Sequence, residues 1–217
     1  MYIPSSFKEL RLEVMQDLIE ARPLGMLITG GPRGLLASPL PFLLYRKEGE
    51  RGILRAHLAR ANTHWKELAA DGECLVVFQG EQGYVTPSWY PSKVATGQAV
   101  PTWNYATVHV WGKAKVIEDA AWLRRQLDDI TCFHEQRRVP AWEIGDAPSA
   151  YINTQMKAII GIEIPVMRME GKWKMSQNKD EADRMGVING MRSEGDPHQN
   201  VPLADWVALG LKESAAL

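Results

Sequence analysis

The feature that most limits what this chain can become is a series of short apolar runs, each closed by a glycine- or proline-containing turn, between residues 24 and 117. Residues 24–29, 35–45, 53–59 and 73–79 are brief and closely punctuated, so they read as strands rather than helices. Residues 30–34 (Gly30-Gly31-Pro32-Arg33-Gly34) and 47–52 supply the turns between them. Pro39 and Pro41 interrupt the second run, and a proline donates nothing to a ladder, so that strand is expected at an edge or a bulge. Residues 84–87 read as a short continuation of the fourth strand, and residues 106–117 as a long one.

Helical patterns flank and follow these strands. Ser6-Phe7-Lys8-Glu9 has the form of a capping box, and Leu10, Val14 and Leu18 continue at four-residue spacing, which predicts a helix ending before Arg22-Pro23. A short helix is expected at 63–70. Later helices are expected at 119–133, 148–160 and 180–191, with a strand at 162–169 and a weaker helix at 204–212. Strands first, then helices and one late strand, is an α+β pattern, mainly β, of an antiparallel barrel with added helices. The expected organisation is one domain over residues 1–191, followed by a linker and short helix over 192–217.

Composition narrows the function classes. The apolar share of 45% is that of a globular chain, which excludes disorder. Lys+Arg 25 against Asp+Glu 26 leaves no basic excess, which argues against a direct grip on DNA phosphates while leaving room for a local patch in a dimer. Cys74 and Cys132 have no CxxC neighbours and read as reduced thiols. With no apolar run of membrane-spanning length and no leader pattern, the expectation is a cytoplasmic protein without membrane attachment. The five histidines are scattered, so no metal site is expected. No GxSxG, GxGxxG or Walker loop is present, and the connection between the helices at 119–133 and 148–160 is too long for a helix-turn-helix.

Four segments carry the residue types of a ligand site. In Arg55 to Trp65, a strand bearing Arg55 and His57 on one face runs into a helix that Asn62 or Thr63 can cap. With Arg60 beside them, the free amides of a helix start suit a phosphate. The plainer reading is a solvated basic turn with an ordinary cap, and a hydrogen-bonded structural role for His57. Ser88-Trp89-Tyr90 and Thr102-Trp103-Asn104 bracket a small polar loop; flat rings beside hydroxyls suit a planar heteroaromatic ligand, or else they close the end of a barrel. Gly171 to Asn178 offers Lys172 and Lys174 to an anion, or is a basic helix cap and no more.

Met1-Tyr2-Ile3-Pro4, Leu40-Pro41-Phe42, residues 57–62, Pro87 to Lys93, Val100 to Tyr105 and Gly171 to Asn178 together resemble the PaiB family, in order, over residues 1–191. The resemblance implies a branch of the FMN-binding split barrels, with a six-stranded Greek-key antiparallel barrel, a homodimer and FMN at the dimer interface. It implies that His57, Arg60, Asn62 and Trp65 lie near the FMN phosphate and ribityl chain. Ser88, Trp89 and Tyr90, with Thr102, Trp103 and Asn104, then wall the isoalloxazine, and Lys174, Gln177 and Asn178 reach a site from the C-terminal region. The sequence departs from the family at Ala37-Ser38-Pro39, where a larger polar residue is expected. The family's members are described as negative transcriptional regulators. The alternatives are an FMN-dependent oxidoreductase acting on a small-molecule substrate, like pyridoxamine-phosphate oxidases or flavin reductases, and a split barrel holding haem or another ligand.

Overall fold

A computed structural model of the chain describes residues 1–31 and 34–214, with 210–214 as backbone alone; the expected turn residues Pro32 and Arg33 lie outside the described residues. In chain order the elements are β1 (Lys8–Glu9), α1 (Leu12–Ala21), β2 (Leu24–Gly31), β3 (Gly34–Pro41), β4 (Leu43–Tyr45), β5 (Ile53–Ala59), α2 (His64–Ala70), β6 (Glu73–Val85), α3 (Pro91–Thr96), β7 (Thr102–Lys113), β8 (Lys115–Ile117), α4 (Ala120–Glu135), α5 (Ser149–Lys157), β9 (Ile159–Lys174), α6 (Glu181–Arg192) and α7 (Val201–Ser214). Strands pair in the order β3-β2-β6-β7-β9-β5-β4, with β1 and β8 also on β9.

β3 and β4 stand at opposite ends of that order, yet only Phe42 separates them in the chain. A sheet whose two edge strands are consecutive in sequence must curl until its edges approach. The result is a barrel with a seam left open, the split barrel. Pro39 and Pro41 lie on β3, an edge strand, where a missing N–H faces the unpaired side. The expected six strands appear as nine, because Phe42 and Ala114 each interrupt a long run and so set off β4 and β8, and the short β1 adds to β9.

The helix expected to start at Ser6 does not start there. Residues 5–7 form a 3-10 turn with Phe7 buried, and Lys8 and Glu9 pair with Lys172 and Gly171 of β9. Long-range strand pairing overrides the local cap, and Glu9 takes the Arg11 amide and guanidinium instead. At the other end of the chain, β9 runs past the expected 162–169 and absorbs Gly171 to Lys174.

The chain divides into two compact units. The first comprises Met1–Arg11, Gln79–Val108 and the residues from Glu170 onward; the second comprises Leu12–Phe78 and His109–Met169. In the second, β5 lies antiparallel to β9 in a register that sets Leu54 opposite Ile164, Ala56 opposite Ile162 and Leu58 opposite Ile160. All six are buried, so period-2 alternation on both strands delivers one continuous apolar face. On the opposite face of the same register, Arg55 meets Glu163 at 2.9 Å. Phe42 and Phe78 add an edge-to-face pair at 5.8 Å.

In the first unit α6 presents Gly186 and Gly190 one turn apart. A Cβ on Gly186 would fall 2.0 Å from the Trp89 carbonyl oxygen, and one on Gly190 would fall 2.4 Å from the Trp89 ring. The two glycines therefore form a flat seat for Trp89, whose indole N–H donates to Asp196 at 3.1 Å. Trp206 of α7 stacks on Trp173 of β9 at 6.1 Å, with ring planes 12° apart. Among the described residues no helix is long and apolar enough to cross a membrane.

Candidate functional site

In the second unit the segment from β5 to α2 is held by a network of hydrogen bonds. His64, the first residue of α2, is 2% exposed. Its Nε2 lies 2.9 Å from Thr29 Oγ1 and its Nδ1 lies 2.9 Å from Ser38 Oγ. Ser38 also accepts from Asn62 Nδ2 at 3.2 Å, and Asn62 Oδ1 caps the helix by accepting from the His64 amide. The position where the sequence departs from the family, Ser38, is thus tied to this segment rather than left idle. Burial lowers the His64 pKa, with Glu67 pulling the other way.

The expected phosphate residues have definite partners here. Arg60 donates to Glu118 at 2.6 Å and to the carbonyls of Lys157 and Ile159 at 3.0 and 3.4 Å. Trp65 donates its indole N–H to the Arg60 carbonyl, and His57 Nδ1 lies 2.8 Å from Gln126 Oε1.

The first unit brings together two expected segments that lie far apart in sequence. Lys174, near the end of β9, donates to Thr102 Oγ1 and, at 2.6 Å, to the Trp103 carbonyl, both on β7. Asn104, fully buried, donates to Ser176 at 2.9 Å. Ser176 sits at φ +63°, a left-handed conformation uncommon for a residue with a Cβ, and the Asn104 contact helps to hold it. Gln177 closes the same loop: its Oε1 accepts from the Met175 amide and its Nε2 donates to the Trp173 carbonyl, each at 2.6 Å. Asn178 is exposed. Trp103 is 48% exposed, with its N–H on Gln82 Oε1 at 2.8 Å.

Two further lysines surround Lys174. Lys172 lies 5.2 Å from the Tyr105 ring centroid, and Lys179 lies 4.6 Å from that of Tyr90. Burial first, then repulsion from Lys172 and Lys179, holds the Lys174 pKa below that of an ordinary lysine. Among the described residues none of the three has a carboxylate partner. The sequence offers Lys172 and Lys174 together but not Lys179, which joins them only in the folded chain. Of the other expected residues of this unit, Trp89 lies in its glycine seat, Tyr90 is 2% exposed, and Ser88 is exposed with its amide on Thr86.

A groove of about 520 Å³ crosses β2, β6, β7 and β9 in the second unit, with Ile28, Leu75 and Trp111 among its lining. The Arg168 guanidinium lies 3.6 Å from the centroid of the Trp111 ring. On the same strands Leu24 is 65% exposed and Met167 66%, more apolar exposure than a strand face ordinarily leaves to water. Cys74 in this groove has its thiol pushed up to about 11 by burial, which makes it unreactive near neutrality.

Comparison with known proteins gives a consistent result. Residues 1–168 match the family described as "Putative FMN-binding domain". An uncharacterised protein of Emericella nidulans is 34% identical, over 90% of this chain and 92% of that protein. The Bacillus subtilis "Protease synthase and sporulation protein PAI 2" is 30% identical, over 91% of this chain and 92% of its own. Among solved structures, a flavocytochrome of Azotobacter vinelandii superposes with a TM-score of 0.58 at 16% identity, over 82% of this chain and 75% of that one; at that identity the likeness is one of fold.

Proposed function

The chain belongs to the PaiB branch of the FMN-binding split barrels, with FMN as its cofactor, and from that premise we propose that it is a homodimeric flavoprotein serving a negative regulatory role, with its flavin at the dimer interface. The observation that carries this reading is the cluster of Lys172, Lys174 and Lys179, which have no carboxylate partner among the described residues, beside the half-exposed Trp103. An ammonium cluster that repels itself, next to an open aromatic ring, fits a flat anionic ligand such as FMN. Lys174 and Thr102 would hold an anionic or carbonyl edge of the flavin, Trp103 would face its ring, and Asn104 would position Ser176. Within the second unit, the segment from His57 to Trp65 is proposed on its own to suit a phosphate, through Asn62 and Trp65. Arg60 is assigned to holding the segment in place, because three of its five N–H groups already donate to Glu118 and to two carbonyls. Bound FMN would supply the electron chemistry.

The second copy is proposed to cover the outer face of β2, β6, β7 and β9, where Leu24 and Met167 stand exposed. Regulation by a near-neutral chain is proposed to act without a direct grip on DNA phosphates. The second reading, an FMN-dependent oxidoreductase of small molecules, is favoured by the exposure of Trp103, which would leave a flavin face open to a substrate.

Sedimentation velocity and FMN fluorescence titration on the same samples test the proposal. The expected result is a dimer that quenches FMN saturably, and a Met167→Glu variant that is monomeric and binds FMN at least tenfold more weakly, since a charge on a packed apolar face costs well over 1 kcal/mol. A monomeric Met167→Glu variant that binds FMN normally would remove the flavin from the interface.

A further inference from the structure

A second cavity, of about 220 Å³, lies in the second unit between α4 and the β4–β5 hairpin. It shares none of its lining with the groove described above. Most of its polar groups already have partners. Arg55 donates to Glu48 at 2.6 and 3.1 Å and to Glu163 at 2.9 Å, and sits 4.1 Å from the centroid of the Tyr45 ring. The Tyr45 hydroxyl donates to Asp129 at 2.5 Å.

Among the described residues, two side chains of the lining have donors that no protein group is shown to accept from. Gln126 is 1% exposed; its Oε1 is 2.8 Å from His57 Nδ1, and its Nε2 has no partner among the described residues. A buried amide N–H without an acceptor carries the full cost of its lost hydration. One residue earlier on α4, the exposed Arg125 lines the same cavity and has no carboxylate within salt-bridge distance among the described residues. The Trp122 indole supplies an apolar wall and is itself fixed against Gly161, where an added Cβ would fall 2.4 Å from the ring.

We propose that this cavity binds a small carboxylate with a flat apolar body: the carboxylate accepts from Gln126 Nε2 and the Arg125 guanidinium, and the body lies against Trp122. The chemistry follows from what is missing. The carboxylates of the lining, Glu48 and Asp129, are already engaged, whereas the unmet groups are an N–H and a guanidinium, both of which call for an anionic oxygen acceptor. The volume falls below the roughly 300–1,000 Å³ of drug-sized sites, so the occupant has about ten heavy atoms or fewer. Arg125 and Trp122 stand apart from the flavin reading, whereas Gln126 touches His57 of the segment assigned to the phosphate.

Calorimetric titration of the FMN-loaded protein with benzoate, benzamide and benzylamine tests it. Benzoate is expected to bind saturably and at least tenfold more tightly than benzamide, its neutral isostere. Arg125→Gln and Gln126→Leu should each weaken benzoate tenfold or more, and Arg125→Gln should leave the flavin absorbance and FMN affinity unchanged. Arg125→Gln changes a surface residue, so it keeps the test decisive even if Gln126→Leu fails to fold. Absence of saturable benzoate binding up to about 10 mM, a benzylamine preference, or benzoate binding indifferent to Arg125→Gln would each overturn the assignment.

Discussion

Two groups of cations, one in each unit, are held in opposite ways. In the second unit, Arg46 lies between Glu20 and Asp17, Arg55 between Glu48 and Glu163, and Arg60 donates to Glu118. In the first, Lys172, Lys174 and Lys179 face rings, a hydroxyl and carbonyls, and repel one another. A cation paired with a carboxylate holds two parts of the chain together and has little charge left to offer a ligand. Clustered ammoniums without counter-charge are a cost to the fold, which an arriving anion offsets. The distinction separates residues that carry the expected site from residues that carry the scaffold, although sequence motifs include both.

The largest expected effect tests that distinction directly. Lys174→Ala should raise the FMN dissociation constant about 30-fold, roughly 2 kcal/mol, the scale of a hydrogen bond to a charged group. Arg60→Ala should change it less than about threefold and instead destabilise the fold by about 1–2 kcal/mol, because it breaks a partly exposed ion pair and two bonds to carbonyls. Fluorescence titration and thermal unfolding on both variants give the four numbers needed. If Arg60→Ala loses the flavin and Lys174→Ala keeps it, the contrast is broken and Arg60 itself, rather than Lys174, holds the flavin's charge.

A somewhat smaller effect concerns Trp89, which motif reading sets against the flavin and the structure sets in the glycine seat of α6. Gly190→Ala would drive a methyl group into the indole, at a cost of about 1–3 kcal/mol. Unfolding should shift down by roughly 2–4 °C per kcal/mol for a chain of this size, while FMN affinity at low temperature stays within about threefold of the parent. A loss of FMN affinity without a loss of stability would return Trp89 to the flavin site.

How far sequence could see depends on whether the signal was local. The strand at 53–59 was legible to the residue because Leu54, Ala56 and Leu58 alternate with Arg55 and His57. The extension of β9 through Lys172-Trp173-Lys174 was hidden, since two lysines mask a strand whose partner is the short β1. Ser6 to Glu9 carried a sound local cap signal that long-range pairing overrode. For the candidate site, the motifs named Thr102, Trp103, Asn104 and Lys174, but that Lys174 meets Thr102 and Trp103 is a tertiary fact. The role of Ser38 was visible only as a departure from the family pattern. His64 was passed over, because nothing in its neighbours signals that hydroxyls on β2 and β3 will enclose it.

His64 gives the smallest effect and the last contrast with Lys174. Burial lowers both pKa values, but like charges add to the effect at Lys174, whereas Glu67 opposes it at His64. Thr29 and Ser38 hydroxyls can each donate or accept, so they satisfy a neutral imidazole in either tautomer. Above the ordinary histidine value of 6.5, both folded and unfolded chains hold His64 neutral, and its contribution to stability is fully present. As pH falls below that value the unfolded chain takes up a proton that the fold resists, so stability is lost toward and through the lowered folded value. The slope from this one group is at most about 1.4 kcal/mol per pH unit. Replacing His64 with Gln, which keeps hydrogen-bonding atoms but cannot titrate, should make unfolding stability fall less than the parent's as pH drops below 6.5. Parallel pH profiles for the two chains would show that protonation of another group limits the fold, and that the hydroxyl pair around His64 serves packing alone.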